Sequence, residues 1–252
     1  MKWTSCLICG LIGVALIAAI SACDNTSSLQ NEPNVTKTSI AQLSKLRNSA
    51  EDLRRKKWEI AGIGSFTNLG VFTTIPDFHE SPNLSLELDS SVALCVFADT
   101  QKRNLEKLKN GDVIIVRGTL DKNLNNSIIR TQMFDELNLP RFNFDVVLSG
   151  CYIVPPKTYI IDLSEMAEEF NSDAESAELK YQGQLIQVTI TVNHQMAQDA
   201  ASIQPSRLVL TANRFVLIAS FDSNISIKAG QKITLKGYYG NYLKLIHCAL
   251  VN

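Results

Sequence analysis

The stretch NGDVIIVRGTL, Asn110 to Leu120, returns near the C-terminus as AGQKITLKGYY, Ala229 to Tyr239. Each copy has a glycine at its turn (Gly111 or Gly230), then a run rich in branched residues, then a second glycine (Gly118 or Gly237). Branched runs bounded by turn residues predict strands. Three more blocks recur in the same order. VALCVFAD (Val92–Asp99) matches VLIASFDS (Val216–Ser223), aligning Phe97 with Phe221. VVLSGCYIV (Val146–Val154) matches LKLIHCALV (Leu243–Val251), aligning Cys151 with Cys248. Ahead of these, RNSAEDLRRKKWEI (Arg47–Ile60) is echoed by FNSDAESAELKYQG (Phe170–Gly183). Four blocks in one order predict a tandem repeat of a helix and five strands.

In the first copy the helix runs from Ile40 through Leu43, Leu46, Ala50 and Leu53, with Thr38 or Ser39 as its cap. Strands are expected near Trp58–Asn68, Leu84–Leu88, Val92–Ala98, Asp112–Leu120 and Phe144–Val154. Pro155-Pro156 ends this unit, since consecutive prolines do not fit a central strand. An acidic helix from Ser164 to about Lys180 opens the second, followed by strands near Leu185–Val192, Arg207–Leu210, Phe215–Phe221, Lys232–Tyr239 and Leu243–Val251. Five strands with a connection between the third and fourth have the OB-fold order, a small barrel that covers its own edges. The expected class is mainly β (α+β): two tandem five-stranded OB-like barrels, each preceded by a helix. The expected divisions are 38–154 for the first helix and barrel, 155–163 for a linker, and 164–252 for the second.

The N-terminus sets the compartment. Lys2 precedes an apolar run from Cys6 to Ala22, and Ile20-Ser21-Ala22-Cys23 closes it. A basic residue, an apolar core and a small-residue exit have the form of a secretory signal. ISAC resembles the lipobox of bacterial lipoproteins. That resemblance implies removal of residues 1–22, acylation of Cys23 and a lipid anchor in the cell envelope, with palmitate among the expected acyl groups. Asp24 resembles the inner-membrane retention signal of such proteins, so a periplasm-facing inner-membrane site is favoured. Residues 23–37 are polar, contain Pro33, and read as a flexible tether.

The quoted blocks, above all NSDAESAELKYQGQLIQVTITV and the cysteine-bearing last strand, resemble the tRNA_anti-like family of OB-fold proteins, many of them bacterial lipoproteins. The likeness covers nearly all of the chain beyond Cys23, once per half. It implies the OB fold, and export separates the chain from cytoplasmic tRNA. Charge points the same way. Without Lys2 the mature chain has 23 Lys and Arg against 25 Asp and Glu, and no basic surplus to neutralise phosphates. Nucleic acid is therefore not an expected partner.

His79, His194 and His247 are scattered, and no Cys or carboxylate stands at metal-ligand spacing from them. No nucleophile elbow or phosphate loop is present. The chain reads as a non-catalytic binding or scaffold module, with no cofactor or metal expected and another envelope protein as its partner. The alternative is an oligonucleotide- or small-ligand-binding OB protein using the long loops of the first barrel. There Phe72, Phe78 and Phe134 would stack while Arg130 and Arg141 clasp; equally, the phenylalanines would plug the barrel ends. An envelope enzyme is the weakest reading. Finally, neighbouring third and fifth strands would bring Cys95 to Cys151, and an oxidising compartment permits a disulfide there; packing as small buried hydrophobes is the other outcome. Cys248 faces Ala219 in the repeat and is expected free.

Overall fold

In the computed structural model, which describes residues 34–46, 53, 56–65, 83–88, 91–120, 144–202 and 206–251, the mainly β chain forms two six-stranded sheets. The first contains β1 (Val35–Lys37), β2 (Lys57–Ser65), β3 (Asn83–Leu88), β4 (Ser91–Phe97), β5 (Val113–Leu120) and β6 (Val146–Val154). Their order is β1-β2-β3-β4-β6-β5, and β5 pairs back onto β2, so five of the strands form a closed ring. Successive side chains on a strand face opposite ways. Along β2 this turns Trp58 and Ile60 into the ring, where they meet Leu86, Cys95, Phe97 and Val116. Glu59 and Ala61 are left on the outside of the ring.

The second sheet contains β7 (Thr158–Ile160), β8 (Leu185–Thr191), β9 (Arg207–Ala212), β10 (Phe215–Phe221), β11 (Lys232–Tyr239) and β12 (Lys244–Val251). Its order is β7-β8-β11-β12-β10-β9. Position for position, its pairings repeat those of the first sheet, with β10 and β12 parallel as β4 and β6 are. One pairing differs. Among the described residues β8 and β9 do not bond, and helix His194–Ser202 lies between them in sequence, sending Met196 and Ala200 into the core.

The two sheets also share an irregularity. Opposite Gly118 on β5, strand β6 spends two residues, Gly150 and Cys151; opposite Gly237 on β11, strand β12 spends His247 and Cys248. A bulge with its first residue in the left-handed region strongly bends a strand. Gly150 adopts φ +58° there and His247 φ +51°. The glycines facing the bulges are required by space: a Cβ on Gly118 would sit 2.7 Å from the Cys151 sulfur, and one on Gly237 2.5 Å from that of Cys248.

Local chemistry moved several boundaries. The segment expected to be a tether contributes β1, which pairs in parallel with Lys57–Glu59. The segment expected to be a linker contributes β7, which pairs with β8. Both are three-residue strands, too short to read from alternation. Helix α1 (Ile40–Leu46) is capped reciprocally: Ser39 Oγ accepts from the Gln42 amide at 3.1 Å, and Gln42 Oε1 accepts from the Ser39 amide at 3.2 Å. The single acidic helix expected from Ser164 is two helices, α2 (Leu163–Ser172) and α3 (Ala174–Tyr181). Asp162, not Ser164, caps the first, accepting from the Ser164 amide at 2.8 Å. Asp173 interrupts the run because its side chain caps the second, taking the Ser176 amide at 3.0 Å. Among the described residues no helix is long and apolar enough to cross a membrane.

Cys95 and Cys151 come together as expected, but as free, buried thiols rather than a disulfide, and Cys248 is free and buried too. The register explains this in part: Cys95 stands opposite Leu148 and Cys151 opposite Phe97, with the strand irregularity between them. Burial, then the hydrogen bond with Cys151, pushes the Cys95 thiol well above its usual range. Burial pushes Cys248 up to about 12. Both thiols therefore stay neutral and pack as small hydrophobes. Alkylation after denaturation without reductant should label all three, and intact mass will report it; loss of two labels would restore the disulfide.

Candidate functional site

The outward residues of β2 and β5 are covered by the second half of the chain. Glu59 and Arg117 stand directly opposite each other, and Arg117 Nε donates to Glu59 Oε2 at 2.6 Å with both side chains buried. Lys37 from β1 reaches the other Glu59 oxygen at 3.3 Å. Beside this pair, Ala61, Ile115 and Val154 form a small apolar cluster on the outside of the ring. Gly183, just after α3, lies against it. A Cβ there would be 2.6 Å from Ala61 Cβ and 2.8 Å from Ile115 Cγ1, and its φ of +73° independently favours glycine.

Next to this contact the halves part to leave a cleft of about 380 Å³. One wall carries Ala61, Gly62 and Ile63 of β2 with Val113 of β5; the other carries Gly240, Asn241, Lys244 and Ile246. Gln182, Gly183 and Tyr239 also line it, with Glu87 on the side of β3. Its surface is mostly apolar, with two amides and one charge of each sign. Volume and lining suit a small ligand or an inserted side chain.

The second wall is strained. Lys244 N donates to Asn241 O at 3.1 Å, closing a tight turn whose two central residues, Tyr242 and Leu243, sit at φ +46° and +58°. Such turns ordinarily take Asn-Gly, and each ordinary residue held there costs about 1–2 kcal/mol. A network from α3 compensates. Glu178 accepts from the Tyr242 amide at 3.1 Å and from the Tyr239 hydroxyl at 2.5 Å, and that hydroxyl accepts from the Leu243 amide at 3.1 Å. Burial, followed by Glu178, drives the Tyr239 phenol far above its usual range, so it stays a donor. A parallel couple anchors the helices: Glu169 takes Lys180 at 2.6 Å and the Tyr181 hydroxyl at 2.9 Å. The hydrogen bond from Lys180 lowers Glu169, and burial pushes Tyr181 up to about 12. With His247, three of the six non-glycine residues at positive φ among those described fall in residues 242–247.

Phe72, Phe78, Arg130, Phe134, Arg141 and Cys23 lie outside the described residues. Among the described residues no three His, Cys, Asp or Glu side chains are grouped to hold a metal ion. The cleft is not legible in the sequence, because its walls come from strands far apart in the chain; the local signal is the Asn241–Lys244 turn, whose second central position holds Leu243 where glycine is usual.

No family model matches the chain, and no curated protein matches it. Among solved structures, a chain described as "Structural mimicry for functional antagonism" aligns with 83% of this chain and 100% of its own length, at 12% identity and a TM-score of 0.23. Likeness at that level carries no argument about fold or activity.

Proposed function

We propose that this chain is a non-catalytic binding module of the bacterial cell envelope, anchored by lipid on Cys23. In this reading it is a tandem duplication of an OB-like barrel and a member of the tRNA_anti-like group. Support for the barrels comes from the strand orders and matched bulges, and support for the anchor from ISAC. Asp24 favours the inner membrane, with the folded part facing the periplasm. The ligand site in this proposal is the cleft between the halves, and one observation carries it: the wall from Tyr242 to His247 keeps unfavourable backbone angles beside an open apolar cavity. Strain that persists in a packed structure concentrates at ligand sites.

A hydrophobic anionic dye, 8-anilinonaphthalene sulfonate, tests it. The mature protein should bind the dye with a rise in fluorescence, because Ile63, Val113 and Ile246 offer apolar surface and Lys244 a cation. Ile63→Glu, which puts a like charge beside the sulfonate, should weaken binding by about tenfold, the effect of roughly 1.4 kcal/mol. Ile160→Ala, at an exposed apolar residue outside the cleft, should leave it unchanged. Equal binding by wild type and Ile63→Glu would sink the assignment.

A further inference from the structure

His247 stands at the bulge position that its counterpart strand gives to Gly150. Glycine takes φ near +55° without penalty, so a histidine is kept there by what its ring touches. Its Nδ1 lies 2.9 Å from Asp222 Oδ1, just past the end of β10, and its Nε2 lies 3.0 Å from the carbonyl oxygen of Gly111. The second contact crosses from one half of the chain to the other. Both partners are pure acceptors. A neutral imidazole carries one N–H and can serve only one of them, whereas the imidazolium serves both.

We propose that protonated His247 is a latch that ties β12 to the Gly111-Asp112 turn and narrows the cleft, and that it releases as pH rises. The consequence for the cleft rests on the binding reading above. Position makes the link direct: Ile246 precedes His247 and Val113 follows Asp112, and these two line facing walls. The Asp112 turn is itself fixed, with Asp112 Oδ2 accepting from the Lys109 amide at 2.7 Å and Gly64 N donating to Asp112 O at 2.8 Å.

The charged groups facing the ring are Asp222 and Asp112. Burial works against the imidazolium, and it is outweighed by the Gly111 carbonyl, Asp222 and Asp112, leaving His247 above its ordinary value. The sign follows. A folded value above the unfolded one, about 6.5, means the latch is fully formed below that pH. It is lost as pH climbs through the raised folded value.

Hydrogen exchange on the mature protein from pH 5.5 to 8.5, corrected for intrinsic rates, tests the latch without any ligand. In wild type, protection at residues 109–113 and 244–248 should fall by roughly fivefold to tenfold across the range, as expected for a charge-assisted bond at a half-exposed site. His247→Gln and His247→Gly should show no such fall. The glycine variant relieves the backbone, so a failure to fold does not cloud the result. Constant protection in wild type, or the same fall in His247→Gly, would overturn the latch. Dye affinity measured alongside should rise with pH in wild type and be pH-independent in His247→Gly. Changing protection with no dye bound at any pH would leave the latch standing and remove the cleft reading alone.

Discussion

Cys23→Ser should move the protein from the membrane fraction almost entirely to the soluble fraction and abolish its labelling by a fatty-acid probe. Each buried methylene of an acyl chain contributes about 0.8 kcal/mol, so one chain holds marginally and several hold firmly. Serine offers no thiol for the first acylation. It also removes the cysteine before which the signal would be cut, so the processed form should disappear as well. Among the described residues no helix is long and apolar enough to span a bilayer. Quantitative membrane retention of the variant with residues 1–22 still attached would show that the N-terminal run is a span, and the lipoprotein reading would fail.

Arg117→Met should destabilise the folded protein by about 3–5 kcal/mol, the usual effect of leaving a buried ion without its partner. Arg117 and Glu59 are 4% and 6% exposed, so water cannot replace the lost contact. Lys37 stays within 3.3 Å of Glu59, but its own side chain is 38% exposed, and its screened charge compensates little. For a domain of this size each kcal/mol lowers Tm by roughly 2–4 °C, so a drop of about 10 °C is expected. The double variant Arg117→Met/Glu59→Leu should recover most of the loss, since two apolar side chains fill the site without a charge to bury. If the double variant is as unstable as the single one, the pair is held by its packing and its electrostatics are secondary. A drop below 1 kcal/mol in Arg117→Met would mean that the second half does not seal this surface in solution.

What the sequence determined by itself was periodic. Alternation and branched runs located ten strands to within a few residues: β11 buries every second residue, whereas β2, β4 and β5 are buried on both faces and are legible as short apolar, branched runs. The recurrence of Gly118 with Cys151, and of Gly237 with Cys248, was legible as aligned letters. Its cause was not, since the glycine is required by a sulfur that another strand brings to within 2.7 Å. Strands β1 and β7 were unreadable for a different reason: three residues hold no period, and their pairing exists only because a neighbouring edge is open. The helix break at Asp173 was a contest between a continuing helix and a side-chain cap, decided by packing of Tyr181 and Lys180 onto Glu169. Most of all, tertiary structure decided which outward faces are buried. Nothing in the local sequence marks Glu59 and Arg117 as a buried pair. They become an interior ion pair because Gly183 allows the second half to approach the first, and the cleft beside them exists only through that approach.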